Sequence, residues 1–207
     1  MKHAHTLFYI HDPMCSWCYG FKPVLTSILN ESKKLVNIKF ILGGLAKDTD
    51  TTMSISMQEN IKSNWHEIEK NIIGIKFNYD FWSQCTPKRS TYLSCRAVIA
   101  ATLQHKKYEN LMINAIQTAY YLNAKNPSNL DTLYQLADEV NFNKNQFIKD
   151  INSEKVETIL KKQIKLSRDI GADSFPSLYL LKNNNYHPIA LDYNDANITI
   201  NHIKSFI

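Results

Sequence analysis

Cysteine is scarce in this sequence, with four residues among 207. That is too few to staple a disulfide scaffold, so a close pair of cysteines points to chemistry or metal binding rather than to structure. Glycine and proline are also few, five and six residues, and no internal repeat or low-complexity tract breaks the chain. Long apolar runs are missing as well. No segment approaches the roughly 18 apolar residues of a membrane-spanning helix, so no membrane partner is expected. At the N-terminus only Thr6 to Ile10 are apolar or nearly so before His11, Asp12 and Pro13 intervene. A secretory signal needs an apolar stretch of about 7–15 residues, and a cytoplasmic location is therefore expected. A concentrated basic stripe is absent too. The net charge is +5, but the lysines are scattered, with only short runs such as Lys106-Lys107 and Lys161-Lys162. This pattern predicts a solvated lysine-rich surface and no nucleic-acid partner.

What is present is an ordinary globular composition, 44% hydrophobic and 21% charged. The length suits one domain with a full core, or a small domain carrying a large insertion. Leu7 to Ile10 reads as a buried strand. A helical pattern follows from Cys15 to about Glu31, with Val24, Leu25, Ile28 and Leu29 at three- and four-residue spacing. Asn37 to Leu42 alternates like a second strand and ends in Gly43-Gly44, a turn signal. The middle is helical by pattern: Ser54 to Ile73, Tyr92 to Gln104, Tyr108 to Ala124, Leu130 to Val140, Phe142 to Ile151 and Val156 to Ile170. Strand signals return at Ser177 to Leu181 and at Tyr186 to Asp192, with Asn183 to Asn185 as a turn. An amphipathic helix closes the chain from Ala196 to Ile207. The order β-α-β, helical block, β-β-α predicts an α/β fold whose single sheet gathers strands from both chain ends. The first two strands should pair in parallel through a right-handed crossover.

The segment H-D-P-M-C-S-W-C-Y-G-F-K-P, residues 11 to 23, sets Cys15 and Cys18 where the first strand hands over to the helix. A C-x-x-C at that junction reads as a redox pair. Cys15 would sit at the helix N-terminus, where free backbone N–H groups and the positive dipole end favour a thiolate. Cys18 would lie one turn inside, less exposed yet close enough to close a disulfide. Cys15 would attack a substrate disulfide and Cys18 would resolve the mixed disulfide. Half of a zinc site is the competing possibility. Zinc wants four ligands, and nine residues separate Cys85 from Cys95, which is not a second knuckle. Cys85 and Cys95 are expected to be plain buried thiols, with a second disulfide between them left open.

On these residues the chain resembles the thioredoxin superfamily, and within it the DsbA-type thiol–disulfide oxidoreductases. The likeness spans the whole chain. Pro23, five residues after Cys18, matches a helix proline of thioredoxins, and Phe175-Pro176 stands where the family keeps a cis-proline facing the cysteines. The combination of D-P-M-C-S-W-C-Y-G-F with Gly43-Gly44, Cys95-Arg96-Ala97 and Phe175-Pro176 is most similar to the FrnE-like branch of protein-disulfide isomerases. The resemblance implies a thioredoxin-like domain over residues 1–44 and 172–207 with an all-helical insertion domain over 45–171. It implies catalysis by Cys15 and Cys18, no cofactor beyond that redox-active pair, and no metal. Protein or peptide disulfides would be the substrates, with glutathione or a thioredoxin system as thiol partner. Pro176 would keep a backbone N–H out of the site and present the main chain of Phe175 to a substrate peptide.

Two departures from DsbA oxidases stand out. Tyr9 occupies the place of their buried acid six positions before the first cysteine, and Lys22 that of an acid four residues after the second. The dipeptide Ser16-Trp17 lacks the histidine of strong oxidants, so an intermediate redox poise is expected, and a reducing compartment would favour reductase or isomerase activity. Trp17 is expected on the substrate-facing surface. His11 and Asp12 could tune Cys15 in opposite directions, although each is expected to be a surface residue or loop anchor. His3, His5 and His11 are expected to be solvated rather than metal-bound, and Arg89 and Arg96 to be ion-pair partners. Two other classes stay open on the same scaffold: a kappa-type glutathione transferase, which characteristically uses a hydroxyl residue instead of a C-x-x-C, and a zinc-binding or peptide-binding module without activity.

Overall fold

A computed structural model describes residues 4–207. The first strand, β1 (Thr6–His11), leads through a loop into α1 (Ser16–Ser32) and then β2 (Asn37–Leu42). Six longer helices follow: α2 (Ile55–Asn71), α4 (Tyr92–Gln104), α5 (Tyr108–Tyr121), α6 (Leu130–Glu139), α7 (Lys144–Ile151) and α8 (Glu154–Ile170), with the single turn α3 (Phe81–Gln84) after α2. The chain ends in β3 (Ser177–Lys182), β4 (Asn185–Ile189) and α9 (Ala196–Lys204). The sheet order is β2-β1-β3-β4, so strands from both ends of the sequence do meet. β1 pairs in parallel with β2 and antiparallel with β3, as Tyr9 opposite Phe40 and opposite Leu178 illustrates.

β1 is central and covered on both faces, which is why its apolar run is continuous rather than alternating. Leu7 and Tyr9 pack with Phe21, Val24 and Ile28 of α1 and with Ile200 and Ile203 of α9. Phe8 and Ile10 face the other way, onto Ile41 and the end of α8 at Ile170 and Ala172. The helical block has its own core around Trp65, which is fully buried and stacks on Phe77 at 4.8 Å. Phe81, on α3, meets Tyr120 edge-on at 4.7 Å in the same cluster. Sequence pattern overlooked α3 because a four-residue helix has no periodicity to show.

Helix starts follow side-chain caps more closely than apolar spacing. Ser54 accepts the Met57 N–H ahead of α2, and Asn143 accepts the Gln146 N–H, moving the start of α7 to Lys144. Ser153 accepts the Val156 N–H, so α8 begins at Glu154. Its end is set by Gly171 in the left-handed region at φ 93°. Among the described residues no helix is long and apolar enough to cross a membrane.

Candidate active site

Cys15 is the N-cap of α1. Its backbone is extended, its own N–H donates to the Asp12 carbonyl at 3.1 Å, and its sulfur accepts the Cys18 N–H at 3.4 Å. The same thiol points at the carbonyl oxygen of Phe175, 3.3 Å away. Cys15 is 6% exposed and Cys18 only 1%, the order expected of an attacking and a resolving thiol. All four cysteines are free thiols, so Cys85 and Cys95 are unbridged. Burial pushes the Cys18 thiol well above its ordinary range, and the neighbouring Cys15 sulfur pushes it further. Among the described residues no three His, Cys, Asp or Glu side chains converge where an ion could be held.

His11 and Asp12 are not surface residues. β1 continues through His11, which pairs with Leu42, so Tyr9 and His11 point to one face beneath α1. His11 is 2% exposed and stacks on Tyr9 with ring centroids 4.9 Å apart. Burial lowers its pKa to about 3, leaving a neutral imidazole. Asp12 is fully buried and anchors the loop. One carboxylate oxygen accepts the Met14 N–H at 2.8 Å. The other accepts the Leu45 N–H at 2.7 Å, the Thr91 hydroxyl at 2.6 Å and the Cys95 thiol at 3.4 Å. Burial raises this carboxyl's pKa and the four hydrogen bonds oppose the rise. Asp12 thus ties the cysteine loop to α4, a link that residue spacing could not reveal.

The Phe175–Pro176 peptide bond is cis. The outer end of the Phe175 ring lies against Gly43, where a Cβ would come within 2.1 Å of it, and the Arg168 guanidinium sits 5.5 Å from its centre. Gly43 was legible only as a turn; its purpose is to leave room for this ring while its N–H donates to the His11 carbonyl at 2.8 Å. Trp17 is half-buried rather than open, because the edge of Tyr193 meets it at 5.4 Å. Ser16, also half-buried, opens α1. Tyr9, in the place of the absent acid, has its hydroxyl pushed well upward by burial and then by the charge of Cys18. Arg96 pairs with Asp48 at 2.7 Å and Glu157 at 3.4 Å, whereas Arg89 makes no ion pair among the described residues. His5 is half-buried at the start of β1, and His3 lies outside the described residues.

Gly43 and Cys95, quoted only as parts of the family combination, pack against Phe175 and Asp12. Thr91 and Tyr193 complete the site without having been singled out, being brought in from the start of α4 and the loop before α9.

Against known proteins, the family model described as thioredoxin matches residues 8–201. A structure of a proposed protein disulfide isomerase from Nitrosomonas europaea superposes with a TM-score of 0.84 at 24% identity, covering 100% of this chain and 98% of that one. The cytosolic disulfide reductase DsbM from Pseudomonas aeruginosa superposes at 0.72 and 22% identity, covering 97% and 96%. Among curated relatives, a ClpXP adapter protein SpxH from Halalkalibacterium halodurans is 22% identical over 84% of this chain and 57% of its own length. The chain therefore spans little more than half of the relatives of that name. With its four-stranded sheet drawn from both chain ends, its helical block between β2 and β3 and its family match from residue 8 to residue 201, the chain belongs to the thioredoxin family and has a DsbA-like fold.

Proposed function

We propose that this protein is a thiol–disulfide oxidoreductase acting as a reductase or isomerase through Cys15 and Cys18. The carrying observation is the Cys15 sulfur at the start of α1, receiving the Cys18 N–H and facing the Phe175 carbonyl beside Pro176. The Cys15 thiolate attacks one sulfur of a substrate disulfide; that S–S bond breaks, a mixed disulfide forms, and the first substrate thiolate leaves. Cys18, after losing its proton, attacks the Cys15 sulfur, and the second substrate thiolate departs. The substrate gains two electrons and the pair becomes a disulfide, so no organic cofactor or metal is needed.

Phe175 offers its main chain, and Trp17 with Tyr193 forms a wall for a substrate peptide. The helical block over 45–171 would shape substrate choice, with residues 1–44 and 172–207 as the redox domain. Membership of the FrnE-like branch and a cytoplasmic location belong to the same reading. A cytosolic reductase of the same fold, also crystallised with glutathione, supports glutathione as the thiol partner.

A glutathione redox titration followed by alkylation and mass measurement tests this. One cooperative two-thiol transition at Cys15 and Cys18 is expected. A potential near about −270 mV indicates a reductase and one near about −180 mV an isomerase. No transition would leave a peptide-binding module, the direction in which the adapter name of the relatives points. Thiols protected until a chelator is added would mean zinc. Glutathione transfer to chloronitrobenzene that survives loss of both cysteines would indicate the kappa-type activity.

A further inference from the structure

Helices α1 and α5 touch through Tyr19 and Tyr121, whose rings stack with centroids 4.7 Å apart. Beside this contact a cavity of about 420 Å³ opens between the two helices and β2. Onward from Tyr19 at three- and four-residue spacing, Lys22, Leu25 and Leu29 line one wall. Back from Tyr121 at four-residue spacing, Gln117 and Ile113 line the other. Lys22 and Gln117 are therefore each about one turn from the tyrosine pair and share the end that it closes. The apolar side chains lie outward of them. Leu25, Leu29, Ile38 and Phe40 are only half-buried, so the cavity leaves apolar surface uncovered.

The closed end is polar and unmet. Gln117 is 3% exposed. Its side-chain oxygen is buried without a hydrogen-bond partner, and its NH₂ meets none among the described residues either. Buried amides are ordinarily paired, so one without partners marks a place that something else completes. Lys22, the residue in the place of the DsbA acid, is half-buried, and its Nζ has no ion pair or hydrogen bond among the described residues. Burial lowers its pKa, a cost that an adjacent anion offsets. No carboxylate side chain lines the cavity. Its other lysine, Lys33, already donates to Asn30 at 2.9 Å.

We propose that this cavity binds a small monocarboxylate with an apolar tail, its carboxylate between the Lys22 ammonium and the Gln117 NH₂ and its tail along Leu25, Leu29, Ile113 and Phe40. A cation beside an amide donor suits the two oxygens of a carboxylate. Apolar walls with a few polar groups gathered at one end are the usual make-up of a small-molecule site. An inorganic anion would leave those walls uncovered, and a neutral apolar guest would leave Lys22 and Gln117 unmet. Cys15, Phe175 and Pro176 do not line the cavity, so the site lies apart from the face where Cys15 meets Phe175. It goes beyond the oxidoreductase reading and does not depend on it.

The probe is octanoate, titrated calorimetrically into the full, reduced chain. Saturable binding of one octanoate per chain is expected. Octan-1-ol, which keeps the tail and loses the charge, is expected to bind about tenfold more weakly. Lys22→Met is expected to weaken octanoate binding about tenfold. Lys34→Met is expected to leave it unchanged, because Lys34 pairs with Glu31 and does not line the cavity. Gln117→Leu is expected to weaken octanoate as Lys22→Met does, yet to melt at or above the parent's temperature, since it removes an amide that has no partner to lose. No saturable octanoate binding, equal affinity for octan-1-ol, or an octanoate affinity unchanged by both Lys22→Met and Gln117→Leu overturns the proposal. The glutathione titration of Cys15 and Cys18 reads the oxidoreductase function separately, so either can fail alone.

Discussion

The Cys15 thiol and the Phe175 carbonyl oxygen stand 3.3 Å apart although 160 positions separate them in the chain. An extended peptide bound to the Phe175 main chain would therefore bring its own sulfur onto Cys15. In a Cys18→Ser variant the mixed disulfide cannot be resolved, so covalent adducts to protein disulfide substrates are expected to accumulate through Cys15. Cys15→Ser is expected to trap no protein substrate. Non-reducing electrophoresis checks this, and equal trapping by both variants would sink the assignment of roles.

Gly43 and Phe175 form a second pair across the same cleft. A methyl group at Gly43 would drive the Phe175 ring away and carry the neighbouring carbonyl with it. Gly43→Ala is expected to cost about 1–3 kcal/mol of stability and to slow exchange with protein disulfides. In a Phe175→Ala background the same substitution should cost clearly less, because the clash is gone. Urea melts of the four proteins measure this coupling; additive costs would count against it.

His11 makes stability depend on pH. The unfolded imidazole takes a proton near pH 6.5, the buried one only near about 3. The stability carried by neutral His11 is therefore complete above pH 6.5 and is lost as the pH falls towards 3. Asp12, with its raised carboxyl pKa, works in the opposite sense and favours the fold as acid is added. Tyr9 and Cys18, which share this face, are both pushed upward and do not titrate in that window. Between pH 7 and 4 the parent chain is expected to lose on the order of a few kcal/mol, and His11→Gln to lose less. Equal losses in denaturant melts at the two pH values would refute this.

Asp12 itself accepts from four donors contributed by the cysteine loop, the segment after β2 and α4. An amide in its place must turn an NH₂ either towards the Met14 N–H or towards the Leu45, Thr91 and Cys95 donors. Asp12→Asn is expected to destabilise the fold by about 1–3 kcal/mol, and to loosen the loop, read as faster amide exchange at Met14 and Leu45. Protection at those two amides equal to the parent's would show that the carboxylate does not hold them.

Trp17 meets Tyr193 edge-on, and the pair is proposed as a wall for a substrate peptide. Trp17→Ala is expected to raise KM for a protein disulfide several-fold while leaving the reaction with dithiothreitol within about twofold, since the lost contact is to a large partner. A comparable loss with both would place Trp17 in support of the cysteines instead.

The fold was largely legible because its strongest signals are local. Two strands around a C-x-x-C helix, and a helix-only middle, can be read from spacing alone. Helix starts were misplaced by one or two residues where a cap such as Ser54, Asn143 or Ser153 overrode the apolar pattern. The placement of Cys15 at the start of α1 and of Cys18 one turn inside was legible for the same reason, since both lie in one short segment. Their surroundings were not. His11 and Asp12 are polar residues beside a proline, and polarity at a turn ordinarily means solvent. Only pairing of β1 as far as Leu42, and donors arriving from Leu45, Thr91 and Cys95, bury them. Tyr193 was invisible because it reaches Trp17 through a loop with no periodic pattern.

Cys15, the proposed reacting residue, is also the cap of α1. A thiolate is a strong acceptor for the Cys18 N–H, whereas a sulfur committed to a disulfide is a weak one. Winding of the first helical turn and the electron count of the pair are therefore one thermodynamic cycle. Each 1.4 kcal/mol by which the capped, reduced chain outlasts the oxidised one shifts the pair by about 30 mV towards accepting electrons. A substitution that frays this turn, even one that never touches sulfur, would retune the direction in which the protein moves electrons.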